Sequence, residues 1–285
     1  MIGRPLSRHL LRRGYDVRVL VRRTPSRPNE VAWDPDRGHL DPTAVDGSHA
    51  VINLGGAGVG DRRWTTAYKQ TILHSRLDGT ALIASTAASV EQPPKRLLQA
   101  SAVGFYGDRG DDALDETAHA GTGFLANVVR RWENAAGPAR EAGVPVVHLR
   151  SGLVLTPRGG AAGRMLPLFR LGLGGRLGSG RQWWPWITLV DEVRAILHLL
   201  DSTLTGPVNL TGPQPARNAD VTQAMAQALR RPAILPVPAI ALRLALGEFA
   251  SDILASQRVV PAALTADGFS YRHRTIADAT RWLVS

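Results

Sequence analysis

The sequence predicts an α/β protein whose core is a doubly wound parallel sheet. Three observations support this fold class: short apolar runs alternate with longer helical stretches, several apolar runs end in glycine or small polar residues, and glycines and tryptophans crowd the chain beyond Pro157. Alternation of strands and helices favours a parallel sheet with helices on both faces. The change after Pro157 predicts a smaller C-terminal lobe beside a Rossmann-like core.

The first part of the chain contains a predicted helix followed by three short strands. The helix covers residues 6–13, and Gly14 lies just past its end, where a glycine commonly terminates a helix. Residues 16–21 and 31–33 are predicted strands. Residues 50–54 form a compact apolar run that stops at two glycines, which is typical of a buried parallel strand.

Longer helices separate the next strands. The stretch 65–88 contains one glycine and no proline, so it predicts a helix. A strand over 96–100, a helix over 123–142 and a strand over 144–149 follow. Ligands of such sheets bind beyond the carboxyl ends of the strands, so we expect the chemistry in the loops that follow these strands.

Composition excludes several classes of protein. The 34 basic and 24 acidic residues give a net charge of +10, but the basic residues are scattered in short pairs, so we expect no nucleic-acid binding. The lack of cysteine excludes disulfides and thiolate sites, and the eight histidines have no metal-ligand spacing. No apolar run could cross a bilayer and no secretory signal is visible, so we expect a cytoplasmic protein without a membrane partner.

Arg22 and Arg23 follow the strand predicted over 16–21 directly. In a dinucleotide-binding sheet this position faces the adenine ribose, where arginine accommodates a 2′-phosphate. The alternative is an ordinary solvated arginine pair. The position after the strand favours a phosphate, and the sequence therefore predicts NADP(H) in preference to NAD(H).

Two further loops follow strands and carry small or polar residues. Glycines after a strand let the backbone approach a flat or charged ligand. Ser101 could orient a carbonyl, and the Tyr106 phenol could exchange a proton if its pKa were lowered. The alternative for both is a structural role in capping and packing. The predicted cofactor contacts of the earlier loop are Asn53, Leu54, Gly55 and Gly56.

Together these motifs closely resemble the atypical, epimerase-like branch of the extended short-chain dehydrogenase/reductases, the NAD-dependent epimerase/dehydratase-like proteins with a C-terminal DUF1731-type domain. The resemblance covers nearly the whole chain. Its segments, in order, are 53–56, Trp64 with 75–80, 101–107, 178–183 with Trp186, Ile187 and Asp191, and a terminal domain at about 234–282. It implies a dinucleotide-binding domain over 1–157 and a substrate-side lobe over 158–285 that is interleaved with the sheet.

The resemblance also extends the expected cofactor site. The family opens with a strand and a glycine-rich turn that places pyrophosphate on a helix N-terminus. Gly3 matches the last glycine of that turn, so we expect the strand and the rest of the turn to be encoded upstream. The other implied cofactor residues are Arg76, Ala100, Ser101, Ser151 and Gly152.

The helix that carries the Tyr–Lys pair of most short-chain dehydrogenases lacks both residues here. This branch generally lacks the pair, and Tyr106 is the candidate for proton exchange. Arg181, Trp183 and Trp186 are candidate substrate contacts, with core packing as the alternative for the tryptophans.

We therefore expect an NADP(H)-binding oxidoreductase or epimerase that acts on a small carbonyl or carbinol substrate. A homodimer is compatible with the sequence. One alternative is a nucleotide-sugar epimerase or dehydratase. The other is a non-catalytic dinucleotide-binding protein that senses redox state, which the missing Tyr–Lys pair favours.

Overall fold

The computed structural model describes residues 1–157 and 159–285. The helices, in chain order, are α1 (Gly3–Arg12), α2 (Thr66–Ser89), α3 (Phe124–Asn134), α4 (Gly137–Glu141), α5 (Gly160–Arg170), α6 (Leu189–Leu199), α7 (Asn218–Leu229), α8 (Ala239–Leu246), α9 (Phe249–Leu254), α10 (Ala262–Ala266) and α11 (Ile276–Val284). The strands are β1 (Val19–Val21), β2 (Glu30–Asp34), β3 (His39–Leu40), β4 (Val51–Asn53), β5 (Leu97–Ala102), β6 (Ala113–Leu114), β7 (Val146–Ser151), β8 (Leu153–Leu155), β9 (Trp183–Trp184), β10 (Trp186–Thr188), β11 (Gly206–Leu210), β12 (Ala216–Arg217) and β13 (Arg258–Val259).

Four strands form one parallel sheet in the order β11–β7–β5–β4. The two central strands, β5 and β7, are almost completely buried. Burial on both faces explains why their sequences are nearly continuous apolar runs rather than alternating patterns.

Helices cover both faces of this sheet. Leu6 of α1 and Ile196 of α6 pack with Leu149 of β7 in one apolar cluster. Ile83 of α2 and Leu97 of β5 belong to a second cluster. The predicted doubly wound, Rossmann-like arrangement is confirmed.

A smaller sheet of three strands, in the order β1–β2–β3, lies beside the larger one. Leu20 and Val51 pack into the same apolar cluster, and Val17 and Ile52 into another, so the cores of the two sheets are continuous. Within residues 1–157 and 159–285 no backbone ladder joins the two sheets. All three residues of β1 are therefore only half-buried, unlike those of β5 and β7.

The C-terminal half is interleaved with the larger sheet, because β11 joins β7 in it. The remaining short strands of this half form three two-stranded pairings, β8 with β10, β9 with β12, and β13 with β6. Helices α5, α7 and α11 enclose a separate apolar cluster that includes Trp186. The β6–β13 pairing connects the loop after β5 to the C-terminal segment.

The predicted helix over 123–142 is wrong in one respect, because the structure has two helices there. Helix α3 ends at Asn134, and α4 begins at Gly137 with Pro138 in its first turn. Proline fits a first helical turn and lacks the amide that a continuous helix would need. The other predicted elements agree with the structure to within about three residues at their ends, the ordinary uncertainty of such boundaries.

Candidate functional site

Three of the predicted site residues lie at the carboxyl edge of the larger sheet. Asn53 is the last residue of β4, Ser101 lies one residue before the end of β5, and Ser151 ends β7. The register pairs Ala102 with Ser151. Because parallel strands end at the same edge, side chains from three separate segments meet there.

Arg22 and Arg23 follow the end of β1, as the sequence predicts, and both remain exposed. Arg22 forms an ion pair with Asp36, and the Arg23 guanidinium donates to both Glu30 carboxylate oxygens at 2.6 and 2.8 Å. The side chains of Arg22 and Arg23 are 55% and 56% exposed. The hydrogen bonds from Arg23, with those from Ser26, hold the pKa of Glu30 at about 2. Both guanidinium groups can still be reached by an anion from solvent.

The loop after β4 is fixed by Asn53, whose side chain is almost completely buried. Its Nδ2 donates to Gln99 Oε1 at 3.0 Å, and its Oδ1 accepts from the Gly55 amide at 3.1 Å. Gly56 has a φ of 152°, and a Cβ there would lie 3.3 Å from Arg76. The backbone therefore turns past Arg76 at a position that only glycine fills without strain.

Arg76 holds the same loop from α2. Its Nη1 donates to the carbonyl oxygens of Ala57 and Ile72 at 3.0 and 2.9 Å. The guanidinium carbon lies 4.9 Å from the Trp132 ring centroid. Burial lowers the pKa of Arg76 to about 10. In this structure Arg76 supports the Gly55–Gly56 turn rather than facing solvent.

A buried chain of hydrogen bonds runs beneath the carboxyl edge. The Ser101 hydroxyl donates to Glu133 Oε1 at 2.6 Å, and Arg150 donates to both Glu133 oxygens at 2.8 and 2.9 Å. The side chains of Arg150 and Glu133 are 4% and 11% exposed. Burial alone would raise the pKa of Glu133, but the hydrogen bonds and charge of Arg150 outweigh it and lower that pKa.

Tyr106 belongs to this buried chain. Its hydroxyl donates to Asn209 Oδ1 at 2.7 Å and accepts from Arg150 Nη1 at 3.0 Å, and the residue has no exposed surface. Burial raises the pKa of the phenol against the opposing effect of Arg150. Proton exchange by Tyr106 would require the opposite direction.

Glycine and small residues allow close approach at the end of β7. A Cβ on Gly152 would lie 2.1 Å from the carbonyl oxygen of Pro185, so only glycine fits this crossing. Ser151 Oγ lies 2.6 Å from Glu192 Oε1. Ala100, one residue before Ser101, is half-buried in β5, and Gly3 is the first residue of α1.

Of the three predicted substrate contacts, Trp186 lies in the core, whereas Trp183 and Arg181 lie at the surface. Trp186 is 1% exposed, and its Nε1 donates to the Gln214 carbonyl oxygen at 3.1 Å. Trp183 is half-buried and donates to Asp111 Oδ1 at 2.6 Å. The guanidinium carbons of Arg217 and Arg258 lie 4.4 and 5.1 Å from its ring centroid.

Arg181 is exposed near Trp183, and its carbonyl oxygen accepts a hydrogen bond from Arg217. The structure thus groups Trp183 with arginines on the surface. Trp186 packs in the core of the lobe, the alternative role considered for these tryptophans.

Sequence analysis missed four charged residues that the structure brings to this region. Two signals were available: an arginine that ends the apolar run 144–149 and a glutamate at the inward position of α3. Neither signal identifies the partner, because the two residues lie on different elements that only the folded structure brings together. These residues are Glu133, Arg150, Arg217 and Arg258.

Other features of the described chain do not compete with this site. Surface cavities of about 390 and 620 Å³ are lined by none of the predicted site residues. Across residues 1–157 and 159–285, no cluster of three or more His, Asp or Glu side chains is placed to hold a metal ion. No helix in the same ranges has the length and apolarity to span a membrane.

Comparison with known proteins identifies the family. The model of the NAD dependent epimerase/dehydratase family matches residues 1–212. The chain belongs to this family. A second model, described as a domain of unknown function (DUF1731), matches residues 237–283 of this epimerase/dehydratase family member. The resemblance inferred from the sequence motifs, including its terminal domain, is confirmed.

Relatives of this family member align along nearly its whole length. An epimerase family protein of Mycobacterium bovis is 45% identical over 281 residues, which cover 98% of this chain and 93% of the relative. The human epimerase family protein SDR39U1 is 34% identical over 289 residues, covering 100% of this chain and 96% of that protein.

Solved structures show the same fold. The crystal structure of human SDR39U1 (isoform 2) with NADPH has a TM-score of 0.91 and 32% identity, covering 99% of this chain and 95% of that one. A nucleoside-diphosphate sugar epimerase from Corynebacterium glutamicum has a TM-score of 0.80 and 34% identity, covering 98% of this chain and 55% of that one. The chain therefore has the Rossmann-like fold of this NAD(P)-binding family.

Proposed function

We propose that this protein binds NADP(H) in preference to NAD(H) and acts as an oxidoreductase or epimerase on a small polar or cyclic carbonyl or carbinol. The observation that carries the proposal is the exposed pair Arg22 and Arg23 directly after β1. Asp36, the partner of Arg22, is 65% exposed, so a 2′-phosphate can replace it at little cost. Glu30, the partner of Arg23, is largely enclosed, but the exposed side of the Arg23 guanidinium can still contact a phosphate. The NADPH bound by the human relative supports this preference.

The residues present fit such a cofactor along the carboxyl edge. Arg22 and Arg23 would hold the 2′-phosphate, and the turn from Asn53 to Gly56 would line the adenine side. Its glycines leave the backbone uncovered, and Asn53 and Arg76 fix its course. When bound, the dinucleotide supplies a hydride to a carbonyl carbon or removes one from a carbinol.

Toward the other end of the edge, Ser101, Ser151 and Gly152 would lie near the nicotinamide, and Gly3 near the pyrophosphate. Ala100 would contribute backbone contacts. Trp183 and Arg181 would contact substrate at the surface, while Trp186 and Tyr106 would support the site from the core. In this assignment Tyr106 positions Arg150 and does not exchange the proton.

Titration of NADPH and NADH tests the proposal. A charge-assisted phosphate contact is worth roughly 1.5 to 3 kcal/mol, so we expect NADPH to bind about tenfold or more tightly. Replacing Arg22 and Arg23 by alanine should erase this preference and leave NADH affinity nearly unchanged. The exposed pair Arg130 and Arg131 on α3 supplies the matched control, whose alanine variant should retain the preference. Equal affinity of the unaltered protein for both nucleotides would contradict the proposal.

Two other functions have an observation in their favour. The Trp183 ring flanked by Arg217 and Arg258 could hold the base or phosphates of a nucleotide sugar, which supports an epimerase or dehydratase. The apolar first turns of α3, without a Tyr–Lys pair, support a non-catalytic redox sensor. Turnover separates them: a sensor binds the dinucleotide but never changes its oxidation state with any carbonyl or carbinol.

A further inference from the structure

Glu192 is a fully buried carboxyl group at the edge where the strands end. It lies in the first turn of α6 and has no exposed surface. Its Oε1 is 2.6 Å from Ser151 Oγ, while its Oε2 has no hydrogen-bond partner among residues 1–157 and 159–285. Buried polar atoms are almost always paired, so an unpaired carboxylate oxygen at this place needs a reason.

Two more buried hydroxyls without partners in the described chain belong to the same region. Thr211 follows β11, whose last residue Leu210 pairs with Ser151, and its hydroxyl is unpartnered. The Tyr271 hydroxyl is also unpartnered, and the charge of Glu192 contributes to raising its pKa. Within residues 1–157 and 159–285, the groups described in this region are hydroxyls, and no cationic side chain is paired with Glu192.

The charged groups closest in sequence or space are engaged elsewhere. Asp191 accepts from the backbone amides of Arg272 and His273 at 2.8 and 2.9 Å. Arg194 lies 3.8 Å from Asp191 and donates to the Ser270 carbonyl oxygen. Burial, opposed by the Ser151 hydrogen bond, raises the pKa of Glu192 to about 7. Glu192 can therefore hold a proton at neutral pH and release it.

Ser151 connects this buried carboxyl to the cofactor edge, because it is half-buried while Glu192 is fully enclosed. In the larger sheet β7 follows β4 and β5, and Leu20 of β1 packs in one apolar cluster with Val51 of β4. A dinucleotide whose 2′-phosphate contacts Arg22 and Arg23 would cross this edge with its nicotinamide toward Ser151. This step rests on the proposed function.

We propose that Ser151 and Glu192 form a proton-holding pair at the nicotinamide end of the site. In carbonyl reduction the Ser151 O–H bond breaks as a new O–H bond forms on the substrate oxygen, and the Glu192 carboxyl proton moves to Ser151 Oγ. Glu192 is left as a carboxylate until a proton returns by the same path. Carbonyl, reduced dinucleotide and one proton thereby give carbinol and oxidised dinucleotide.

The pH dependence of nucleotide binding tests this pair without requiring a known substrate. The oxidised nicotinamide ring is positively charged and the reduced ring is neutral. An adjacent Glu192 carboxylate therefore increases the affinity for NADP⁺ and leaves the affinity for NADPH nearly unchanged. We expect the ratio of NADP⁺ to NADPH affinity to rise about tenfold between about pH 6 and about pH 8. Using the ratio cancels the titration of the 2′-phosphate, which both nucleotides carry. Isothermal titration calorimetry with each nucleotide gives both affinities.

Variants assign the effect to the pair. Glu192→Gln should make the ratio independent of pH. Glu116→Gln should behave like the unaltered protein, because Glu116 is also largely buried but contacts Asn209 rather than Ser151. Ser151→Ala removes a hydrogen bond that lowers the pKa of Glu192, so it should move the midpoint of the ratio to higher pH. This second variant keeps the test available if Glu192→Gln does not fold.

The outcomes separate this inference from the proposed function. A ratio that does not change with pH, or one whose change persists in Glu192→Gln, overturns the proton-holding pair while nucleotide binding stands. Failure of both nucleotides to bind overturns the proposed function and this inference together. A pH-dependent ratio that Glu192→Gln abolishes and Ser151→Ala shifts upward supports the pair.

Discussion

Arg22 and Arg23 lie just beyond the end of one strand and Arg150 near the end of another, and the surroundings of these two sets of arginines differ sharply. Arg22 and Arg23 follow β1 with more than half of each side chain exposed, although of their carboxylate partners only Asp36 is exposed and Glu30 is largely enclosed. Arg150 lies in β7 with 4% of its side chain exposed, held by Glu133 and lying 3.6 Å from the Phe105 ring centroid. The same residue type thus occupies strand ends in opposite dielectric environments.

The difference in solvation makes one set of arginines suitable for binding a ligand and the other for stabilising the fold. An exposed ion pair contributes about 0 to 1 kcal/mol, so a ligand phosphate can take the place of its carboxylate. Breaking a buried pair leaves an uncompensated charge and costs about 3 to 5 kcal/mol. Arg22 and Arg23 are therefore suited to binding a ligand, whereas Arg150 maintains the architecture beneath the site.

The largest effect is expected from Arg150→Met. Because Glu133 would remain buried without its partner, we expect the free energy of unfolding to fall by about 3 to 5 kcal/mol, measured by urea denaturation. Combining Arg150→Met with Glu133→Gln should recover part of that loss. A loss below about 1 kcal/mol in the single variant would remove the distinction between the two sets of arginines.

Glu192 provides a contrast to Glu133, because both carboxyl groups are buried but only Glu133 is paired with an arginine. Its pKa is raised to about 7 in the folded protein, so the folded state holds a proton that the unfolded state releases above its ordinary pKa. Its contribution to stability is therefore present at low pH and is lost between about pH 4.5 and about pH 7. Above that window we expect Glu192→Gln to be more stable by about 3 kcal/mol.

Thermal or urea unfolding across this range measures the effect. Glu133 should contribute the opposite pH dependence to the free energy of unfolding. Its pKa is lowered in the folded state, so its stabilising contribution is lost as pH falls through that pKa. If the difference in free energy of unfolding between the unsubstituted protein and Glu192→Gln did not change with pH, folding would not shift the pKa of Glu192.

A smaller effect is expected at the turn that Arg76 supports. Gly56→Ala places a Cβ 3.3 Å from Arg76 at a φ of 152°, so we expect a loss of about 1 to 3 kcal/mol. Gly3→Ala is the control, because a Cβ there meets nothing within 4 Å apart from its chain neighbours and the backbone of its own helix. Equal melting temperatures of the two variants would show that the Gly56 turn carries no constraint.

The sequence was sufficient to predict the parallel sheet and to place several candidate residues at its carboxyl edge. Apolar runs such as 144–149 mark buried strands, and the carboxyl ends of parallel strands share an edge, so Asn53, Ser101 and Ser151 could be brought together by reasoning alone. The parallel direction of the strands was expected from the alternation of strands and helices along the chain.

The partners of buried polar groups could not be predicted in the same way. Glu133 and Arg150 come from α3 and β7, and only their tertiary packing reveals that they meet. Trp183 and Trp186 differ in exposure although only two residues lie between them, because the short strands β9 and β10 pack differently. Tyr106 has a suitable residue type for proton exchange, but burial places its hydroxyl between Arg150 and Asn209.

Replacement of Arg22 and Arg23 is expected to give the smallest change in stability. It also provides the most direct test of the proposed preference for NADP(H). Replacing both by alanine should change the free energy of unfolding by less than about 1 kcal/mol, since the Arg22–Asp36 pair is exposed and the enclosed Glu30 carboxylate keeps its hydrogen bonds from Ser26. In the same variant the ratio of NADPH to NADH affinity should fall from about tenfold or more to near unity. A variant that keeps the full NADPH preference would contradict the assignment of these arginines to the 2′-phosphate.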